Sequence, residues 1–468
     1  LITAKIAEAG FSEDKPIIKN IFVESPRASV TLLLGESGSG KTTFLLSLTG
    51  VLKFLLNGYI NGVVRIDDLN PLEMNDYLKL PSKIGFIMQD PEKQLVMPTP
   101  FDETVFTLQM KGYSEEEAVK KARELLEKAG LSNKINLHVE NLSGGEKRKL
   151  SILLSIIHQP QILILDEPSA SLDVEGIRMV REIIREYKER EDITVLIAEH
   201  KPVFYADLID NAFIIEKTGS KPVALETLYK SSAVDVARHQ CAEESENNGS
   251  FGDLVLETSG LDIGFDKPMI RNINLTVRRG EVLGILGPNG SGKTTLLKTI
   301  AGFYRPLTGE VRVGEGGRVF YVPQNPDLLF LFKTVEKELK ETSKKTSFPV
   351  DELVELIPWY PSVRGFNPHW LSHGQRRWLS IVIAYAYSRG VILLDEPSTG
   401  LDYVRFNHLK RLISSLKKKG VSFLISTHDP RVVGEIVDKV YVIDSGRLIE
   451  VDKCGVVEEY YSRTGVPA

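Results

Sequence analysis

The chain has 468 residues, 42% of them hydrophobic and 26% charged, with a formal net charge of -5. That length exceeds what one hydrophobic core ordinarily serves, so two or three globular domains are expected, and the near-balanced charge without a long basic run offers no electrostatic footprint for duplex nucleic acid. The two cysteines, Cys241 and Cys454, lie far apart with no CxxC or histidine spacing, which argues against zinc, iron–sulfur or disulfide scaffolds and fits a reducing cytosol.

No apolar run approaches the roughly 18 residues of a membrane span. "LSILLSIIHQPQILIL" comes nearest and is broken by His158, Gln159, Pro160 and Gln161. The start, "LITAKIAEAG", lacks the basic flank and apolar stretch of a signal peptide. Any membrane role is therefore expected to run through partners.

From the N-terminus, the first strong motif is "LLLGESGSGKTTFL", a strand-like run that ends in GxxxxGK[ST] and enters a helical pattern. Such a loop turns successive backbone N–H groups toward a β-phosphate, which needs the torsional freedom of Gly35, Gly38 and Gly40. Ser39 and Thr43 belong to the same cradle; Lys41 reaches the β/γ oxygens and Thr42 holds Mg²⁺. "SEEEAVKKARELLEKAGL" predicts a helix, with a Ser114/Glu117 capping box and an apolar face of Ala118, Ala122, Leu125, Leu126 and Ala129. After "NLSGGEKRK" comes the apolar run "ILIL", closing on Asp166 and Glu167. Acids at the end of a buried parallel strand face the ligand edge of the sheet. The first would bind Mg²⁺, the second polarise an attacking water.

Polar, acidic "SSAVDVARHQCAEESENNGSFGD" reads as a linker, giving domains at 1–230 and 253–468 joined by 231–252. The second half then repeats the first in order. "GFDKPMIRNI" from Gly264 matches "GFSEDKPIIKNI" from Gly10, and "GILGPNGSGKTTLL" supplies a second cradle of Gly287, Asn289, Gly290, Ser291, Gly292, Lys293, Thr294 and Thr295. "WLSHGQRRW" matches "NLSGGEKRK", "LLDEPSTGLD" carries Asp395 and Glu396, and "LISTH" matches "LIAEH". The interval from Ser143 to Ser372 equals that from Asp166 to Asp395, while Lys41 and Lys293 lie farther apart. The extra length of the first copy therefore falls between Lys41 and Gln89. β-rich runs alternate with helical patterns in each copy, so two α/β domains, each with a helical insert, are expected.

The two P-loops with the peptides "LSGGE" and "LSHGQ" make nearly the whole chain resemble two fused ATPases of the ATP-binding cassette (ABC) superfamily. The resemblance implies an α/β fold of two P-loop NTPase domains, each with a helical subdomain, in a pseudo-twofold head-to-tail arrangement, with ATP and Mg²⁺ as ligands. It makes Gln89 and Gln324 the Q-loop glutamines on Mg²⁺, Asp173 and Asp402 the D-loop acids, and His200 and His428 the γ-phosphate switch histidines beside catalytic Glu167 and Glu396. Phe11 and Phe265 take the place of the adenine-stacking aromatic. By the same resemblance each site is composite: Ser372, His373 and Gly374 complete the Lys41 site, and Ser143, Gly144 and Gly145 the Lys293 site. His373, where the other copy has glycine, would make the first site the slower one, or, if protonated, help hold phosphate.

"GFIMQDPEKQLVMPTPFDETV" resembles energy-coupling-factor importers, whose ATPases carry QDPxxQ after the Q-loop to dock a transmembrane partner; Gln89, Asp90, Pro91 and Gln94 match. Asn325 and Leu329 replace Asp90 and Gln94 in the second copy, which weighs against symmetric docking. The expectation is an ATPase subunit working with a transmembrane coupling protein and a substrate-binding membrane subunit, without nucleic acid, in the cytoplasm at the inner face of the membrane. Two alternatives stay open: a soluble tandem ATPase acting on ribosomes, and a tandem sugar-importer ATPase.

Overall fold

The structure, a computed structural model, describes residues 1–36, 38–88, 94–142, 144–169, 172, 174–189, 193–200, 202–225, 251–314 and 317–464. The chain divides into two compact units, Leu1–Ala233 with Tyr461–Ala468, and Val234–Tyr460. Most of the proposed linker lies outside the described residues.

In the first unit, β1 (Ile2–Gly10), β2 (Ile18–Ser25) and β4 (Tyr59–Ile66) form an antiparallel sheet in the order β2-β1-β4. A second sheet runs β5-β6-β7-β3-β8-β9, from β3 (Val30–Leu34), β5 (Ile84–Ile87), β6 (Ile162–Asp166), β7 (Thr194–Glu199), β8 (Asn211–Glu216) and β9 (Gly219–Pro222). Its neighbours are parallel except for β9 on β8. Every residue of β6 and β7 is buried, as a parallel sheet covered on both faces requires. The P-loop leaves β3 and enters the helix Lys41–Leu48, where Phe44, Leu45 and Leu48 are fully buried in one cluster with Ile6 and Ile21 of the antiparallel sheet and Leu33, Ile164 and Leu196 of the parallel one. At about 1.5–3 kcal/mol per buried apolar side chain, this wedge clamps the P-loop helix between the sheets.

The helical insert contains the helices Pro100–Met110, Glu115–Lys128 and Gly144–Ile156. The second starts on the expected Ser114/Glu117 capping box and buries Ala118, Ala122 and Leu126.

The second unit has β10 (Leu254–Gly264), β11 (Pro268–Arg278), β12 (Val282–Leu286), β13 (Thr308–Val313), β14 (Arg318–Val322), β15 (Arg389–Asp395), β16 (Ser422–Thr427), β17 (Lys439–Asp444) and β18 (Arg447–Val451) in one sheet, ordered β13-β10-β11-β18-β17-β12-β16-β15-β14. From β18 to β14 this repeats the first unit from β9 to β5. A pairing of Arg271 with Arg447 joins β11 to β18. In the first unit the corresponding seam keeps the matching backbone bond, Lys19 N to Lys217 O at 2.9 Å, and the Ser220 hydroxyl also bridges it, donating to Phe22 O at 2.6 Å and accepting from Phe22 N at 2.7 Å. Residues 67–83 separate β4 from β5, where only 314–317 separate β13 from β14, so most of the extra length lies between Lys41 and Gln89, and the remainder between Gln89 and Ser143. No helix among the described residues is long and apolar enough to cross a membrane.

Candidate functional site

The two P-loops have matching backbones. Gly38 and Gly290 have φ of 81° and 79°, and Gly40 and Gly292 both have φ of 103°, torsions that side chains beyond glycine rarely adopt. A Cβ on Gly40 would come within 2.1 Å of Ile18 Cγ2. Lys41 Nζ donates to Gly35 O at 2.7 Å and Glu36 O at 3.1 Å; Lys293 Nζ donates to Gly287 O at 2.6 Å and Pro288 O at 3.2 Å. Both ammonium groups are buried inside the loop that would carry phosphate.

The strand-end acids meet them. Thr42 Oγ1 donates to Asp166 Oδ2 at 2.7 Å, and Thr294 Oγ1 to Asp395 Oδ2 at 2.9 Å. Glu167 and Glu396 sit in the left-handed region at φ 49° and 46°, with their N–H groups donating across to Ala198 O and Ser426 O. That turn places Glu167 Oε1 3.9 Å from Lys41 Nζ, and Glu396 Oε1 3.5 Å from Lys293 Nζ. Such torsions in a non-glycine residue are unfavourable and occur at functional sites that enforce them. His200 Nδ1 lies 3.7 Å from Glu167, and His428 Nδ1 2.9 Å from Glu396.

Burial and neighbouring charge both act on the site acids. Burial raises the Asp166 carboxyl from 3.8 to about 6, with Glu167 adding to the rise and Thr42, Lys41 and Arg148 opposing it. Burial also pushes Glu396 up, but His428 and Lys293 more than offset it and hold the carboxyl below its ordinary value.

Lys41, Thr42, Asp166, Glu167 and His200 thus converge in one unit and Lys293, Thr294, Asp395, Glu396 and His428 in the other. Phe11 and Phe265 are exposed, at 55% and 63%. Asp402 caps the helix Tyr403–Lys418 by accepting from Arg405 N at 2.8 Å. Gln324 is exposed, and its carbonyl accepts from Arg377. Gln89, Asp90, Pro91, Ser143 and Asp173 lie outside the described residues; Gly144 and Gly145 open the helix Gly144–Ile156. Ser372 and Gln375 form a capping pair at the start of the helix His373–Ser388. His373 packs on Thr399 and Gly400 of its own unit, and burial, reinforced by Arg377 and Arg376, lowers it to about 4. In the nucleotide-free protein the ring is therefore neutral at neutral pH.

Sequence reading missed Arg148 and Arg377, buried at matching positions of the signature helices. Arg148 donates to Met88 O at 2.5 Å, and Arg377 to Pro323 O at 2.7 Å, tying each signature helix to the strand end before the Q-loop glutamine. Their recurrence in both copies was the available signal.

ATP and Mg²⁺ fit this donor set. The Ser39 and Ser291 hydroxyls are buried with no hydrogen-bond partner among the described residues, at the same step of each P-loop, and Asp166 Oδ1 is likewise orphaned. Thr42 with Asp166, and Thr294 with Asp395, would hold the metal, which supplies positive charge to the phosphates.

In the first unit a cavity of about 340 Å³ opens between β5, the helix Gly144–Ile156 and the additional segment 67–83, lined by Tyr77, Pro81, Phe86, Gln94, Lys111 and His158 among others. The Gln94 amide is fastened to the strand, donating to Phe86 O at 2.7 Å and accepting from Met88 N at 3.0 Å.

A P-loop leaving a buried parallel strand, a histidine just past the end of the neighbouring strand and an acid pair at the end of the strand beyond it define a P-loop ATPase, present here twice. The chain belongs to the ABC transporter family, whose model matches residues 18–170 and 270–399. It is 28% identical over 469 residues to a Methanosarcina mazei protein named as an ABC transporter ATP-binding protein, covering 96% of this chain and 94% of that one. It is 26% identical over 494 residues to a Bacillus subtilis protein named for HMP/thiamine import, YkoD, covering 95% and 90%. Among solved structures, a model of ribosome-bound archaeal Pelota and ABCE1 aligns with a TM-score of 0.70 at 21% identity, over 96% of this chain and 79% of that one. RNase-L Inhibitor aligns at 0.67 and 20% identity, over 96% and 90%. These two likenesses establish the tandem fold.

Proposed function

We propose that this ABC ATPase is the ATP-hydrolysing subunit of an energy-coupling-factor type importer of a vitamin, a vitamin precursor or a transition-metal ion, bound to the inner membrane face through a transmembrane coupling protein. The observation that supports this best is the open cavity beside Gln94, at the segment whose sequence resembles the docking element of such ATPases. The relative named for HMP/thiamine import adds support.

In this reading, Lys41 and Lys293 bind the β/γ-phosphates, Glu167 and Glu396 orient and polarise the attacking water, and His200 and His428 sense the γ-phosphate. The halves complete each other's sites: Ser372 and Gly374 serve the Lys41 site, Ser143 and Gly145 the Lys293 site. Loss of the γ-phosphate removes the contacts that hold such a pair closed.

Purification under mild detergent should recover membrane subunits with the chain, and Lys41→Ala with Lys293→Ala should abolish ATP turnover. Gln94→Ala should weaken partner binding with little change in nucleotide affinity. The full-length likeness in fold to a ribosome-bound ATPase favours a second reading, a soluble tandem ATPase acting on ribosomes. Co-sedimentation with ribosomes in place of membrane partners would select it.

A further inference from the structure

The two carboxylates assigned to the metal are held differently. Asp166 and Asp395 end equivalent strands, and each accepts one hydroxyl from its P-loop threonine. Beyond that the sites diverge. Asp395 Oδ2 also accepts from the Tyr321 hydroxyl at 2.8 Å, and its Oδ1 accepts from Ser426 Oγ at 2.5 Å. Strand register identifies the counterparts in the first unit. Asp395 pairs with Ser426 as Asp166 pairs with Ala198, and Leu393 pairs with Tyr321 as Ile164 pairs with Phe86. Neither Phe86 nor Ala198 has a hydroxyl, and Asp166 Oδ1 has no hydrogen-bond partner among the described residues.

Hydroxyl bonds to an ionised carboxylate are short and strong. Each threonine is itself a prospective metal ligand. When Thr294 turns to the cation, Tyr321 and Ser426 still fix both oxygens of Asp395; when Thr42 does so, Asp166 keeps no side-chain hydroxyl. Groups that orient a metal ligand from behind typically change metal affinity about 10- to 100-fold when removed.

We propose that Tyr321 and Ser426 are positioning residues that pre-set Asp395, so that the second half binds its divalent cation more tightly than the first. This rests on reading both P-loops as Mg²⁺–nucleotide sites.

The test is a Mn²⁺ titration of the full chain with a non-hydrolysable ATP analogue, followed by electron paramagnetic resonance. Two classes of Mn²⁺ are expected, the tighter one lost in Lys293→Ala. Tyr321→Phe with Ser426→Ala should weaken that class about 10-fold or more and leave the other in place. The converse pair, Phe86→Tyr with Ala198→Ser, should tighten the weaker class, a gain that damaged folding cannot produce. Equal classes in the wild type, equal weakening of both by the first pair, or no gain from the second would overturn the inference. Absence of any nucleotide-dependent Mn²⁺ binding would instead overturn the nucleotide reading beneath it.

Discussion

Glu199 Oε1 lies 3.2 Å from Nδ1 of His200, whereas Thr427 occupies the same step before His428. Glu199 is fully buried and accepts from the Ser169 hydroxyl at 2.5 Å and from His200 N at 2.8 Å. Thr427 Oγ1 accepts only the single N–H of Asp429, at 2.9 Å, among the described bonds. Glu199→Ala strands the Ser169 hydroxyl and the N–H groups of Ser169 and His200 and leaves a void, so chemical denaturation should show a loss of about 2–4 kcal/mol. Thr427→Ala should lose about 1 kcal/mol. Equal losses would contradict this account of the first half.

The raised Asp166 carboxyl has a definite pH signature. Between its ordinary value of 3.8 and about 6, the folded protein binds more protons at this group than the unfolded chain, so its contribution to stability falls as pH rises through that window. Above pH 6 the nucleotide-free protein bears the full penalty, on the order of 2–3 kcal/mol. Asp166→Asn should therefore be the more stable protein at pH 7.5 without nucleotide, with the advantage vanishing near pH 4, as followed by thermal unfolding. Its ATPase activity should be lost.

His373 has the opposite sign. With its folded value lowered to about 4, the unfolded chain binds the extra proton between about 4 and the ordinary 6.5, so stability is lost as pH falls through that range. His373→Gln should flatten the acid side of the stability curve. With the ring neutral from pH 6 to 8 in the nucleotide-free protein, His373→Gly is expected to leave the shape of the ATPase profile there unchanged; loss of a fall in activity above pH 6.5 in the variant would instead show a ring protonated by bound phosphate.

The proposed completion of each site by the other half adds a kinetic expectation for that same residue. If His373 slows the Lys41 site, Glu396→Gln should reduce turnover more than Glu167→Gln, and His373→Gly should narrow the difference. Equal impairment by the two glutamate variants, unaltered by His373→Gly, would remove the asymmetry.

Equivalent glycines should respond unequally. Gly40 and Gly292 share φ of 103°, but an added Cβ meets Ile18 Cγ2 at 2.1 Å in the first case and Ile270 Cδ1 at 3.2 Å in the second. Both alanine variants carry torsional strain of about 1–3 kcal/mol; Gly40→Ala adds overpacking of similar size. Thermal unfolding should show Gly40→Ala as the more damaged.

By itself the sequence determined the tandem architecture and picked out the candidate site residues. Local chemistry carries these: GxxxxGK[ST] demands a particular backbone, an apolar run ending in Asp166–Glu167 or Asp395–Glu396 demands a buried strand with acids at its edge, and repetition in order shows each motif twice. The Ser114 capping box was legible for the same reason. Only the tertiary structure decided how the sites differ. Tyr321 and Ser426 reach Asp395 because β14, β15 and β16 lie side by side, although the three residues are far apart in sequence. The lowered value of His373 depends on burial beside Arg376 and Arg377, and Arg148 finds Met88 only once the helical insert folds back on β5. Strand register and desolvation are properties of the packed chain, and no local spacing encodes them.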